Sequence, residues 1–207
     1  MTWTVVRWLV LILACAPFVY YLLCIYAALR FFLEKPRYPP SPAFAPPVSI
    51  LKPVRGLDPE AYESFSSFCQ LDYPEYEVLF GVTDADDPVI PIIQKLIENN
   101  PGRSIRLLVG AEKLGANSKV CKLVRLVREA RYDLFVIGDS DVRVAPDYLR
   151  AVVAAFRDPQ VGGVTTLFRG TASHQLGSDM ECVGFSSEFC GGVLVARLLE
   201  GMKFTLG

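Results

Sequence analysis

The chain is poor in the side chains on which most metal centres and thiol enzymes depend. Its 207 residues include 1 histidine, His174, with no metal-ligand spacing around it, and 6 cysteines, which form no Cys-x-x-Cys pair. A catalytic thiol needs a histidine partner, and a zinc site needs clustered ligands. These absences argue against both kinds of site. We interpret the cysteines as small apolar residues in a reducing compartment and His174 as a loop residue.

An excess of charge of one sign is also lacking. The chain has 21 Lys and Arg against 22 Asp and Glu, and only 21% of its residues are charged. This balance excludes a disordered chain and a broadly basic nucleic-acid binder, so no nucleic-acid partner is expected. The G-x-G-x-x-G and G-x-x-x-x-G-K-S/T spacings are missing, which argues against a dinucleotide oxidoreductase and a P-loop NTPase.

One long apolar segment accounts for much of the mean hydropathy of +0.32. The run from Trp8 to Leu29 contains no charged residue, and a helix needs about 20 apolar residues to cross the hydrocarbon layer. We predict an uncleaved transmembrane anchor over residues 1–32. A buried core helix and a cleaved signal peptide are the alternatives. The Ala14-Cys15-Ala16 segment resembles a cleavage site, but the apolar run continues well past it.

Positive charges flank the predicted anchor unequally. Only Arg7 precedes the span, whereas Arg30, Lys35 and Arg37 follow it directly. The positive-inside rule therefore predicts a single-pass membrane protein whose remaining residues lie on the cytoplasmic face.

After the anchor, the sequence changes from a proline-rich segment to an α/β pattern. Prolines at 36, 39, 40, 42, 46 and 47 predict an extended linker over residues 33–47. From residue 48 to 207, short apolar runs alternate with helical periods, which predicts an α/β domain with a parallel sheet. The predicted strands are Val48–Leu51, Val78–Val82, Ile105–Val109, Leu134–Ile137 and Val161–Leu167. The predicted helices are Glu60–Cys69, Pro88–Asn99, Ser118–Ala130 and Pro146–Phe156.

Acidic residues follow two of these strands. Asp84, Asp86 and Asp87 come directly after the second strand, and Asp139 and Asp141 follow the fourth. Because ligands bind at the carboxyl ends of parallel strands, both clusters are expected to face one crevice. Asp139 and Asp141 could share a Mg²⁺ or Mn²⁺ ion that brings a diphosphate with it.

Local roles remain open for the same acids. Asp87 followed by Pro88 is a common helix start, with Asp87 as the N-cap, and Asp84 could form an Asx turn. A single D-x-D tripeptide is also frequent in loops without metal.

A loop with glycines and lysines lies between the two acidic clusters. Gly110 to Lys122 contains Lys113 and Lys119 and opens onto a predicted helix. Lysines and main-chain N–H groups at a helix start favour a diphosphate. A solvated loop with no ligand is the alternative.

Several spaced motifs together resemble the ceramide glucosyltransferase family, whose bacterial members include hopanoid-biosynthesis glycosyltransferases. The segments are VSILKPVRGLDP, FCQLDYPEYEVLFGVTDADDP, GANSKV and YDLFVIGDSDVRVAPDYL. The similarity covers about residues 48–170, and the anchor precedes this region. The resemblance implies a GT-A (Rossmann-like) fold and a hexosyltransferase. Such an enzyme would transfer a single sugar, of glucose or N-acetylglucosamine type, from a UDP-sugar to a lipid hydroxyl. Ceramide and hopanoids are the acceptors expected, with inversion and metal assistance.

The resemblance also assigns roles to residues. Asp87 matches the donor-site acid in the DDP motif, Asp139 matches the acid that opens the D-x-D-like motif, and Lys119 matches a lysine directed towards the donor. Asp84 and Asp86 are expected to bind the donor beside Asp87. Asp141 completes the D-x-D and is expected to bind the metal with Asp139.

The family's catalytic base lies in a third acidic motif, followed by a Q/R-x-x-R-W signature, and neither occurs before Gly207. We therefore expect the base beyond Gly207, an incomplete GT-A domain over 48–207, and an inactive chain when it is isolated. Asp179, Glu181 and Glu188 match no motif. A non-catalytic, membrane-tethered nucleotide-binding module and a processive polysaccharide synthase remain alternatives. The oligomeric state is not predicted.

Overall fold

Two compact units make up the computed structural model, which describes residues 2–110, 113–171 and 175–202. One unit comprises Tyr38–Val161, and the other combines Met1–Arg37 with Gly162–Gly207. His174 lies outside the described residues. The division into an anchor, a linker and a domain from residue 48 stays a prediction.

Helices and strands alternate through the first unit, as predicted. In chain order the elements of the described residues are α1 (Thr2–Leu33), β1 (Val48–Pro53), α2 (Ala61–Cys69), β2 (Tyr76–Val82), α3 (Ile90–Asn99), β3 (Ser104–Val109), α4 (Ser118–Glu129), β4 (Leu134–Ile137), α5 (Tyr148–Val153), α6 (Leu176–Gly184) and α7 (Cys190–Glu200). A 3₁₀ turn, Ala154–Arg157, follows α5, and a π-helical turn, Phe185–Phe189, joins α6 to α7.

The four strands form one parallel sheet in the order β3-β2-β1-β4. Val48 of β1 pairs with Tyr76 of β2 on one side and with Leu134 of β4 on the other. Every residue of β1 and β2 is buried. Central strands of a parallel sheet are covered on both faces, which explains their nearly continuous apolar runs. The predicted α/β class and parallel sheet are confirmed.

The sheet has apolar side chains packed on both faces. On one face Phe65 and Phe68 of α2 pack with Phe80 of β2 in the larger cluster of buried residues. On the other face Leu126 of α4 packs against Leu51 and Leu79. These two layers fix the carboxyl ends of the strands, where the predicted site residues lie.

Residues 161–171 contain no helix or strand, so the predicted strand Val161–Leu167 is wrong. Gly162 and Gly163 begin this segment, and glycine weakens a strand because it gains no side-chain packing. The segment leaves the α/β unit at this point, and Leu167 packs instead beside the buried cluster of Cys24, Ala27, Leu194 and Val195.

The proline-rich residues 38–47 have no regular secondary structure, as predicted, but they lie against the α/β unit. The Tyr73 hydroxyl donates to the Pro46 carbonyl oxygen at 2.7 Å, and Arg157 Nη2 donates to the Pro39 carbonyl oxygen at 2.7 Å. Phe44 packs against the larger core cluster. Residues 38–47 therefore cover part of the α/β unit.

In the second unit, α1 packs against α7. Cys24 and Ala27 of α1 are buried with Leu194 and Val195 of α7. In the part of the chain that the structure describes, two helical segments, Trp3–Leu33 and Leu176–Glu200, are long and apolar enough to cross a membrane. These are criteria of length and composition, which the core helix of a soluble protein or a signal sequence meets as well. The single-pass topology and its orientation stay predictions.

Candidate donor site at the carboxyl edge of the sheet

The loop after β4 is joined to the first turn of α4 by an ion pair. Lys119 Nζ lies 2.6 Å from Asp139 Oδ1, and both side chains are about half exposed. Asn117 is the N-cap of α4, and its side chain accepts hydrogen bonds from the main-chain N–H groups of Lys119 and Val120. The helix start therefore sets the position of Lys119. Two residues predicted to bind the donor meet at this point.

The acids after β2 divide into exposed and buried positions. Asp84 and Asp86 are exposed, whereas Asp87 is 8% exposed. The Asp87 carboxylate accepts hydrogen bonds from the main-chain N–H groups of Gly56, at 3.0 and 3.2 Å, and of Val89, at 3.0 Å. Asp87 thus ties the loop after β1 to the loop after β2.

The sequence predicted Asp87 as the N-cap of the following helix, but in the structure that helix begins later. α3 begins at Ile90, so Val89 is the N-cap residue and Asp87 precedes it. The Asp87 carboxylate accepts a hydrogen bond from the main-chain N–H of Val89, so it caps the turn that precedes the helix. Asp84 contributes its main-chain oxygen, which accepts from the Asp87 N–H at 3.3 Å.

The loop after β1, residues 54–60, contacts both acidic clusters. Gly56 donates to Asp87, and Asp58 Oδ2 accepts a hydrogen bond from the Ser140 hydroxyl at 2.7 Å. Arg143 pairs with Glu60 at 2.8 Å. Glu60 itself has a φ of 60°, a left-handed conformation that is uncommon for a residue other than glycine. Both predicted clusters therefore border the same loop.

Asp139 and Asp141 are both exposed. Within the described ranges, no group of three or more His, Cys, Asp or Glu side chains could hold a metal ion. Two carboxylates do not enclose a cation, but they suit Mg²⁺ or Mn²⁺, which keep waters or bind substrate phosphates. The donor set therefore fits an ion that arrives with a diphosphate.

Lys52 and Lys122 border the site as buried lysines, and neither is predicted from the sequence to lie in the core. Lys52 in β1 is fully buried, and its Nζ donates to the Asp139 carbonyl oxygen at 2.8 Å. Burial lowers the pKa of Lys52 to about 7, although the Asp139 and Asp141 carboxylates oppose this shift. The burial of Lys52 could have been predicted, because alternate residues of a strand share one face and Lys52 lies between the core residues Ile50 and Val54.

The second buried lysine, Lys122, lies one turn after Lys119 in α4. Its Nζ donates to the Val54 carbonyl oxygen at 2.8 Å, and burial lowers its pKa. Lys122 is 5% exposed, whereas Val127 of the same helix is 42% exposed. The amine reaches the Val54 carbonyl oxygen just beyond the end of β1, so the lysine stem can be buried against the sheet.

Comparison with known proteins identifies relatives of this chain. The model of glycosyl transferase family 21 matches residues 8–207. Ceramide glucosyltransferase 1 of Caenorhabditis elegans is 34% identical over 102 residues, which cover 49% of this chain and 22% of that protein. The ceramide glucosyltransferase of Gibberella zeae is 31% identical over 153 residues, covering 69% of this chain and 29% of that protein. The chain thus spans between a fifth and a third of the length of these curated relatives.

A solved structure shares the fold. The mannosyltransferase PcManGT from Pyrobaculum calidifontis, solved in complex with GDP-Man and Mn²⁺, superposes with a TM-score of 0.61 at 27% identity. The match covers 77% of this chain and 46% of that one. The predicted GT-A fold is confirmed. The chain belongs to glycosyl transferase family 21, which confirms the resemblance to ceramide glucosyltransferases that its motifs predicted.

Proposed function

We propose that this chain carries the donor-binding part of a membrane-associated glycosyltransferase. In this proposal a single sugar, of glucose or N-acetylglucosamine type, passes with inversion from a UDP-sugar to a lipid hydroxyl such as that of ceramide or a hopanoid. The observation that carries the proposal is the meeting of Lys119 and Asp139 at the carboxyl edge of the sheet, beside Asp141. The ceramide glucosyltransferases among its relatives support a hexose donor and a lipid acceptor.

Asp139 and Asp141 are the residues that would hold Mg²⁺ or Mn²⁺. The mannosyltransferase of similar fold binds GDP-Man with Mn²⁺, which supports a divalent ion. Such an ion would stabilise the negative charge that develops on the departing nucleoside diphosphate.

Lys119 has a separate part in the proposal. Its ammonium already lies at the metal-binding edge and is paired with Asp139. An ammonium group there can bind a phosphate oxygen as a point charge when the diphosphate arrives. Asp139 is then available as a metal ligand. When the donor binds, two contacts would thus replace the ion pair between Lys119 and Asp139: one from Lys119 to a phosphate oxygen and one from Asp139 to the metal ion.

Asp84, Asp86 and Asp87 form the second wall of the proposed donor site. Asp87 fixes this wall through its hydrogen bonds to Gly56 and Val89, while the exposed Asp84 and Asp86 carboxylates are available to polar groups of the donor. We assign the catalytic base to none of the described residues. The base must take the proton of the acceptor hydroxyl as the new bond forms.

Two apolar helices support the membrane part of the proposal. Arg30, Lys35 and Arg37 follow α1 closely, and this excess of positive charge favours a cytoplasmic position for the α/β unit. A lipid acceptor would then be presented at the cytoplasmic surface of the bilayer.

The direct test is nucleotide-sugar binding to the full chain in detergent, with and without Mn²⁺. We expect UDP-sugar binding to require the metal and to fall at least about tenfold in Asp139→Asn, the loss of one charge-assisted contact. Asp133→Asn is the matched control, because Asp133 is exposed and lies at the other end of β4. Metal-independent binding, or equal binding by both variants, contradicts the donor site.

The acceptor is tested separately in cells that express the full-length gene. Mass spectrometry of extracted lipids should reveal a lipid carrying one added hexose or N-acetylhexosamine. A polymeric product would instead indicate a processive synthase. The absence of any glycosylated product, together with intact UDP-sugar binding, would indicate a non-catalytic module.

A further inference from the structure

β1 has one side chain that does not fit a buried strand. Val48, Ile50 and Val54 belong to the larger core cluster, and Lys52 occupies the same face of the strand between them. Lys52 is 0% exposed, and its Nζ lies 3.8 Å from the centroid of the Phe68 ring. Lysine is rarely buried completely, because removing its amine from water is costly. An apolar side chain would pack here at lower cost.

The ladder between β1 and β4 ends just before the D-x-D segment. The last paired residues are Leu51 and Ile137, and the Gly138 N–H donates to the Leu51 carbonyl oxygen at 3.1 Å. Alternate residues of a strand point their main-chain groups to the same neighbour, so the next donor towards β4 would be residue 53. That residue is Pro53, which has no N–H. The main chain after Gly138 is therefore not held by the ladder.

Lys52 supplies the next tie with its side chain. Its Nζ donates to the carbonyl oxygen of Asp139 at 2.8 Å, one residue after the last ladder hydrogen bond. Gly138 allows this approach, because a Cβ at that position would lie 3.2 Å from Phe68 Cζ and 3.6 Å from Lys52 Nζ. β1 thus holds two consecutive residues, Gly138 through a carbonyl oxygen and Asp139 through a lysine amine.

We propose that Lys52 is a positioning residue for the donor site: it fixes the main chain of Asp139 so that the Asp139 carboxylate meets Lys119 and the incoming metal diphosphate. This inference rests on the proposed function, because it assumes that Asp139 binds the donor. It explains why a costly buried amine occupies a core position. Lys52 contributes to the order of the loop after β4, at the expense of the stability that an apolar residue would give.

The proposal predicts opposite effects on stability and on binding. Lys52→Met retains most of the apolar stem and removes the amine, so the unfolding midpoint should stay equal to that of the wild type or rise. The affinity for UDP in the presence of Mn²⁺ should fall by about tenfold, the size of one lost tie. Hydrogen exchange should become faster over residues 138–144.

Ser49→Ala is the matched control in the same strand. Ser49 is also fully buried, and its hydroxyl donates to Glu77 Oε1 at 2.7 Å, at the amino end of β1. This variant should lose stability while it retains the wild-type affinity for UDP. If the loss of UDP affinity is proportional to the loss of stability in both Lys52→Met and Ser49→Ala, the positioning role is overturned.

A second variant tests the amine itself. Lys52→Ala leaves space for a small primary amine, so n-propylamine should restore part of its UDP affinity, whereas Asp139→Asn should not respond. If n-propylamine has no effect on Lys52→Ala, or if Lys52→Met binds UDP as the wild type does, the proposal is wrong.

The exchange measurement separates this proposal from the proposed function. If the wild-type chain binds no UDP with Mn²⁺, the donor site itself fails. The role of the Lys52–Asp139 hydrogen bond is then tested by hydrogen exchange alone. Faster exchange over residues 138–144 in Lys52→Met supports this role, and unchanged exchange overturns it.

Discussion

Lys119 Nζ lies 2.6 Å from Asp139 Oδ1, and this ion pair joins the first turn of α4 to the loop after β4. Both side chains are about half exposed, so solvent screens the attraction, and the pair contributes only about 0–1 kcal/mol to folding. In the proposed function the pair places an ammonium beside the acid that would hold the metal.

The first prediction concerns the ammonium of this pair. Lys119→Met should leave the unfolding midpoint nearly unchanged and weaken the binding of UDP with Mn²⁺ by about tenfold, the effect of one lost charge-assisted contact. Isothermal titration of the full chain in detergent measures the affinity. The control is Lys113→Met, which removes an exposed lysine from the loop that precedes α4. Equal losses in the two variants would mean that only the general positive charge of the loop matters.

The sequence predicted the parts of the site that depend on chain order, and missed those that depend on packing. Four strands and the edge at which Asp139 and Lys119 meet follow from apolar periodicity and from the geometry of parallel sheets. Periodicity gives no information about which side chain reaches which carbonyl oxygen. The contacts of Lys52 with Asp139 and of Lys122 with Val54 therefore could not be predicted from the sequence.

The predicted strand Val161–Leu167 shows a second limit of sequence patterns. Its residues are apolar and β-branched enough to resemble a strand, but the segment belongs to the unit that contains α1 and α7. A strand-like pattern of apolar residues indicates only that a segment is suited to a β-strand. To form one, the segment must also pair with the edge of a neighbouring strand. Local composition does not supply that information.

The second prediction separates the structural role of Asp87 from its proposed donor role. The Asp87 carboxylate accepts main-chain hydrogen bonds from Gly56 and Val89, so Asp87→Asn places an amide group where acceptors are needed. We expect a loss of about 1–3 kcal/mol in the free energy of unfolding, measured by chemical denaturation. Asp86→Asn should show no such loss, because Asp86 is exposed. A stable Asp87→Asn variant would contradict the bridging role.

The third prediction concerns Glu77, a fully buried acid in β2. Burial alone would raise its pKa, but hydrogen bonds from the Arg131 N–H, the Ser49 hydroxyl and Arg106 together outweigh burial and lower the pKa. Glu77→Gln removes the charge that these donors stabilise. At neutral pH we expect the free energy of unfolding to fall by about 1–3 kcal/mol.

The pH dependence of this loss has a definite sign. A carboxyl group whose pKa is lowered by folding stabilises the protein fully above its unfolded pKa, about 4.3 for glutamate. That contribution disappears as the pH falls through the folded pKa. The stability difference between the wild type and Glu77→Gln should therefore shrink below about pH 4. Glu75→Gln, at an exposed acid of the same segment, should show almost no difference at any pH.

The fourth prediction tests the packing of α1 against α7. Gly191 faces Cys24, and a Cβ at Gly191 would lie 3.2 Å from Cys24 Sγ. Gly191→Leu should force these helices apart at a cost of about 1–3 kcal/mol, as overpacking does elsewhere. The measurement is maleimide labelling of Cys24 in a variant that retains no other cysteine. Cys24 is 7% exposed in the wild type, so labelling should be slow there and faster after the substitution.

Gly177→Leu is the control, because a Cβ at Gly177 has no atom within 4 Å. Fast labelling in the wild type, or equally slow labelling in both variants, would contradict the packing of α7 over Cys24.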